Sequence, residues 1–132
     1  MTVLADASAI VAMITKEADS VTLRNALDRH GERLYCATGA WEAARAVARI
    51  GVVDIVEASA VIDRWFDELG FRLVPIGETE TRFAVDAHRR YGKGTRHPAS
   101  LNMGDCFAYA CAKANNATLL YKGDDFAKTD LA

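Results

Sequence analysis

Short β-prone apolar runs alternate with helical patterns along this chain, and that alternation restricts the fold more than any single residue does. Thr2 to Ala5 is such a run, and the helix-forming Ala7 to Ile14 follows with only Asp6 at the junction. A helical stretch from about Asp19 to Arg29 ends near Gly31, and Leu34-Tyr35-Cys36 reads as a second strand. Thr38 is expected to cap a helix running to about Ile50, with Gly51 as the break before a further helix from Val53 to Leu69. Arg72 to Pro75 reads as a third strand, and Glu78 to Tyr91 as a helix that stops at Gly92-Lys93-Gly94. After a loop to Leu101, Met103 to Ala114 is apolar nearly all round, which predicts a central helix, and Ala117 to Tyr121 supplies a fourth strand. The pattern implies an α/β sandwich around a mostly parallel sheet.

At 132 residues, 51% of them apolar and 26% charged, the chain is expected to form a single domain over 1–132 with a sizeable core. Sixteen basic and eighteen acidic residues give a net charge of -2, which excludes a uniformly basic nucleic-acid binder. Any polyanion contact must come from a local patch. No apolar stretch approaches the roughly 20 residues of a membrane span. Thr2-Val3-Leu4-Ala5-Asp6 shows no signal-peptide pattern, so the expected location is the cytoplasm, without membrane association. Cys36, Cys106 and Cys111 include no CxxC pair, which disfavours disulfide and zinc readings.

In open α/β sheets, ligands bind beyond the carboxyl ends of the strands. The residues expected there are acidic. Asp6 follows the first strand, Glu42 lies early in the helix after the second, Asp105 begins the apolar helix, and Asp124 and Asp125 follow the last strand. Each has a plainer role available: Asp6 as a helix cap, Glu42 as a surface group near a helix N-terminus, Asp105 as a first-turn acid, the Asp124-Asp125 pair as a turn. Their arrival at one edge from four separate segments is what carries information. Gathered carboxylates repel, and a divalent cation removes that repulsion; an all-oxygen set suits magnesium or manganese rather than zinc.

Four segments carry a family resemblance: Val3-Leu4-Ala5-Asp6-Ala7-Ser8-Ala9, Glu42, Leu101-Asn102-Met103-Gly104-Asp105-Cys106-Phe107-Ala108-Tyr109-Ala110, and Leu119-Leu120-Tyr121-Lys122-Gly123-Asp124-Asp125-Phe126 with Thr129-Asp130 behind it. Together, from Thr2 to about Asp130, they resemble a PIN domain of the VapC type, the ribonuclease toxin of a toxin–antitoxin pair. The resemblance implies a PIN-like, Rossmann-like three-layer sandwich with a short, mostly parallel sheet of about four to five strands. It further implies cleavage of RNA by water under Mg²⁺, with Mn²⁺ as the alternative ion, giving 5′-phosphate and 3′-hydroxyl ends. Asp6, Glu42 and Asp105 match the defining acids of the family's metal site. Asp124 and Asp125 both qualify as the fourth, with preference for Asp124. The implied ligands are Asp6, Asp105 and the fourth acid, with Glu42 ligating a second ion or orienting the water. Ser8 and Asn102 match polar positions flanking the site. The implied partners are a VapB-like antitoxin, an RNA substrate and a second copy of the chain, with operator DNA reached only through the antitoxin.

From His88 to His97 the chain carries Arg89, Arg90, Lys93 and Arg96 and no acid, which is the local patch RNA requires. Arg45 and Arg49 share a helix face with Glu42 and are candidates for substrate or antitoxin contact. Trp41, Trp65 and Phe66 are expected in the core or a subunit interface. An apolar groove for an antitoxin helix is expected from Ile10, Val11, Met13, Ile14 and Leu27 with the helices from Trp41 to Phe66. A receiver-like phosphorylation module also gathers acids and places a lysine where Lys122 stands, but it requires adjacent acids after the first strand and an aspartate after the third. This chain has the single Asp6 and Pro75-Ile76-Gly77. A dehalogenase-like phosphatase requires DxD, which Asp6-Ala7-Ser8 lacks. A PIN fold that binds antitoxin or RNA without cutting is the remaining alternative.

Overall fold

The computed structural model describes all residues 1–132. Strands β1 (Thr2–Ala5), β2 (Glu32–Cys36), β3 (Phe71–Val74) and β4 (Thr118–Leu120) form one sheet in the order β3-β2-β1-β4, with every neighbouring pair parallel. The sheet is therefore wholly parallel and four-stranded. Parallel strands need crossovers, and six helices supply them: α1 (Ala7–Ile14), α2 (Ser20–Asp28), α3 (Ala37–Gly51), α4 (Ile55–Leu69), α5 (Glu78–Tyr91) and α6 (Met103–Ala114). A 3₁₀ turn, Phe126–Lys128, follows β4.

Both faces of the sheet are covered, as parallel sheets require. Successive side chains of β1 point to opposite faces. Leu4 joins Leu34, Val74 and Leu119 beneath α5 and α6, while Ala5 packs with Ile10, Ala43, Ile62 and Phe66 beneath α1, α3 and α4. Tyr109 and Phe66 are the largest fully enclosed side chains. The Phe66 ring stacks on Tyr35 at 3.7 Å between centroids, and Trp65 stacks on Phe71 at 5.2 Å. Truncating an aromatic at such a position costs about 3–5 kcal/mol.

Several local signals resolve differently from the sequence expectation. Cys36, in extended conformation, is the residue before α3, and Thr38 lies inside the helix with its hydroxyl 3.3 Å from Cys36 Sγ. Gly51 is the last residue of α3, and the left-handed turn falls on Val52, at φ 53°. That conformation is costly for a β-branched residue. Trp41 is 56% exposed and therefore not a core residue; the Arg45 guanidinium lies 4.9 Å from its ring centre. Ile10 and Leu27 are fully enclosed and cannot line an open groove, whereas Met13 and Ile14 line an open cavity with Trp65. A further apolar groove lies between α3 and α4, within the expected helices from Trp41 to Phe66, lined by Trp41, Ala44, Ile55 and Val56.

The Thr129-Asp130 pair fastens the C-terminus. Asp130 accepts hydrogen bonds from the Tyr109 hydroxyl at 2.7 Å, the Tyr91 hydroxyl at 3.3 Å and Lys113 Nζ at 2.5 Å, joining α5 and α6 to the segment after β4. The chain places β2 and β3 on one side of β1, then crosses back to lay β4 on the other. This reversal opens a crevice at the carboxyl ends of β1 and β4.

Candidate active site

Asp6 sits at the mouth of that crevice, because β1 ends at Ala5 and α1 begins at Ala7. Its backbone N–H still donates to Leu120 O at 2.9 Å, tying it to β4. Its Oδ2 accepts from Ser8 N at 3.0 Å and from Ser8 Oγ at 2.7 Å, so the plain cap role is real. The side chain is nevertheless buried, and desolvation outweighs these bonds and raises its pKa. Ser8 Oγ in turn accepts from Lys122 N at 3.0 Å. A continuous chain of bonds thus runs from the segment after β4, through Ser8, to the Asp6 carboxylate.

Asp105 arrives on the first turn of α6. Asn102 Oδ1 accepts from Asp105 N at 2.9 Å, and Asp105 Oδ2 accepts from Asn102 N at 3.1 Å, a reciprocal box that fixes the carboxylate's direction. Burial first, then the charges of Asp6 and Asp125, push its pKa up to about 6. Glu42 comes from the second turn of α3 and is half-buried. Burial, then Asp6 and Asp105, push it up to about 7, against a smaller opposing effect of Arg45. Three carboxylates from α1, α3 and α6 therefore feel one another's charge, with the positive N-terminal ends of α1 and α6 directed at the same place.

Asp6, Ser8, Glu42 and Asp105 line one open cavity of about 380 Å³. Glu17 and Lys122 complete it, and neither was among the sequence candidates. Lys122 lies in the Lys122-Gly123-Asp124-Asp125 run, so its position was readable; Glu17, in the turn after α1, carries no local signal. The Lys122 ammonium pairs with Glu17 and lies 3.6 Å from Asp19, so it is already engaged by acids other than Asp6 and Asp105. Of the two candidates for the fourth acid, Asp125 is one whose charge adds, as the smallest of the causes, to the raising of Asp6 and Asp105. Both are exposed, and neither lines the cavity. As they stand, no three acidic, histidine or cysteine side chains are arranged as a closed metal cage. The donor set is nonetheless all oxygen, and carboxylates raised first by burial and then by neighbouring negative charge fit a hard divalent cation.

The basic stretch divides in two. Arg89 pairs with Asp86 at 2.7 Å, and Arg90 bonds the hydroxyls of Tyr91 at 2.7 Å and Tyr109 at 3.2 Å. Both guanidinium groups have partners inside the protein. Lys93 and Arg96 are exposed and form no ion pair. Lys93 shares an apolar pocket with Asn102 and Met103, beside the start of α6. Arg45 and Arg49 are both exposed on α3.

No helix is long and apolar enough to cross a membrane. The family model for the PIN domain matches residues 3–131. A VapC ribonuclease of Mycobacterium bovis is 36% identical over 128 residues, covering 97% of this chain and 95% of the relative. A VapC ribonuclease of Rhizobium meliloti is 38% identical over 137 residues, covering 96% of each. Ribonuclease VapC30 of Mycobacterium tuberculosis is 38% identical over 128 residues, covering 96% of this chain and 94% of the relative.

Proposed function

The chain belongs to the PIN-domain family, and on that premise we propose that it is an Mg²⁺-dependent endoribonuclease, the toxin of a VapBC-type module. The observation that carries the reading is the convergence of Asp6, Glu42 and Asp105 on one cavity, with Asp125 near enough to raise two of them. Asp6, Asp105 and Asp125 would hold the ion, Mg²⁺ or alternatively Mn²⁺. When bound, the cation supplies Lewis acidity, acidifying water and offsetting charge that develops on the phosphate.

The protein's own groups have separable parts. Ser8 directs Asp6 by donating to Oδ2, and Asn102 directs Asp105 through the capping box. Glu42, held near neutrality, is suited to take a proton from the attacking water on a carboxylate oxygen. Water adds to phosphorus, the bond to the 3′ oxygen breaks, and the products carry 5′-phosphate and 3′-hydroxyl ends. Lys93 and Arg96 are the cations free to meet backbone phosphates, whereas Arg89 and Arg90 would first have to leave their present partners. Arg45 and Arg49 stand on the Glu42 helix, where substrate or an antitoxin segment can meet them.

The same reading makes residues 1–132 one domain working in the cytoplasm, as a homodimer that a VapB-like antitoxin silences. The apolar α3–α4 groove suits an amphipathic antitoxin helix, and operator DNA is reached only through that partner. The test is incubation of antitoxin-free protein with end-labelled total RNA in Mg²⁺, Mn²⁺ or EDTA. Discrete 5′-phosphorylated fragments in the first two and none in EDTA are expected. Intact RNA throughout, from folded protein, would favour a PIN fold that binds without cutting.

A further inference from the structure

We propose that Gly104 is a positioning residue whose missing side chain provides the space in which the Glu42 carboxylate sits. Gly104 is the second residue of α6, between the capping residue Asn102 and Asp105. A Cβ placed on it would overlap Glu42 Oε1 and stand 2.5 Å from Glu42 Cδ and 2.8 Å from Oε2. None of these separations is compatible with non-bonded packing, for which carbon contacts lie at about 3.5–4.0 Å.

The backbone does not ask for glycine here. Gly104 is absent from the residues with positive φ, and glycine within a helix is less favourable than alanine. The requirement comes from the neighbour. Glu42 reaches from α3 across to the first turn of α6, and only an α6 without a side chain at this point lets the carboxylate lie against it, beside Asp6 and Asp105. The obstructed atoms are the far end of a flexible side chain, so a methyl group at position 104 displaces Glu42 and leaves the helices where they are. The glycine thus fixes the place of an acid delivered by another segment. This inference rests on the acid cluster being the site of RNA cleavage; the displacement of Glu42 can be measured without it.

The experiment compares wild type, Gly104→Ala, Glu42→Gln and the double variant, by crystal structure, thermal melting, and kcat and KM for RNA cleavage in Mg²⁺. Gly104→Ala is expected to melt no lower than wild type, to show Glu42 turned away from α6, and to lose at least about tenfold in kcat with KM little changed. In the Glu42→Gln background the same change is expected to cost nothing further, a non-additivity that general structural damage would not produce. Glu42 found in its original place in Gly104→Ala, wild-type kcat, or additive losses would each overturn the proposal. Should Gly104→Ala not fold, the Gly104→Ala/Glu42→Ala variant decides: its folding supports the overlap described, and its failure to fold overturns it. If the wild-type protein itself does not cleave RNA, the functional reading fails, and the crystal structure of Gly104→Ala still decides whether Gly104 places Glu42.

Discussion

The Ser8 hydroxyl donates to Asp6 Oδ2 at 2.7 Å while accepting the Lys122 backbone N–H at 3.0 Å, so one small side chain joins the first and last strands' exits at the most buried acid of the site. In the proposed site such a group would orient a ligating carboxylate. Replacing it with alanine is expected to lower kcat/KM for RNA about 10–100-fold and stability by about 1 kcal/mol. Ser8→Thr, which keeps the hydroxyl, is expected to retain most of the activity. Steady-state kinetics with parallel melts check both, and a fully active Ser8→Ala protein would refute the role.

The two adjacent aspartates after β4 should behave differently. The charge of Asp125 reaches Asp6 and Asp105, and with Asp125 as the proposed fourth acid, Asp125→Asn is expected to weaken Mg²⁺ binding and lower cleavage at least about tenfold. Asp124→Asn should change either by no more than about twofold. Calorimetric titration with Mg²⁺ beside the cleavage assay separates them; equal losses, or the reverse order, would contradict Asp125 as the fourth acid.

Without metal, the acid cluster makes folding pH-dependent with a definite sign. Glu42 and Asp105 are raised to about 7 and about 6 in the folded protein, so between about pH 4 and 7 the native state holds more protons than the unfolded chain. Stability is therefore fully present below the unfolded carboxylate range and falls as pH rises through 6 and 7. Allowing for the solvent that reaches Glu42, its part is about 1–2 kcal/mol. Denaturant titrations in EDTA are expected to show this decline, and Glu42→Gln to flatten it and to be the more stable protein at pH 8. A stability that rises over this interval for wild type and variant alike would contradict the electrostatics described.

Asp130 is expected to matter for folding rather than for cleavage. It gathers the Tyr109 and Tyr91 hydroxyls and Lys113 at the C-terminal clasp. Asp130→Ala should cost about 1–3 kcal/mol and leave kcat below the melting transition close to wild type. Thermal melts and kinetics at low temperature make the comparison.

Much of this was legible in the residues. The alternation of strands and helices, and Asp6, Glu42 and Asp105 at one edge, follow from periodicity and from where parallel sheets expose their strand ends. What was not legible depends on side-chain direction. Asp124 and Asp125 are indistinguishable by spacing, and only the path of the chain after β4 decides how near each charge comes to Asp6 and Asp105. Arg90 read as a free cation until Tyr91 and Tyr109 claimed its guanidinium. Glu17 and Lys122 meet across the cavity from positions 105 residues apart, a pairing that no local pattern signals. The glycine near the end of α3 misplaced the turn by one residue, because tertiary packing holds Val52 in a conformation that propensity assigns to glycine.

The central claim is that the converging carboxylates make this chain a metal-dependent ribonuclease, and the most direct measurement is the RNA cleavage rate of Asp105→Asn beside wild type in saturating Mg²⁺. The side-chain amide keeps the size of the group, and circular dichroism confirms the fold. Wild-type cleavage that stops in EDTA, with a loss of at least about a thousandfold in the variant, is the result predicted. Cleavage by Asp105→Asn at the wild-type rate, or wild-type cleavage indifferent to EDTA, would contradict it.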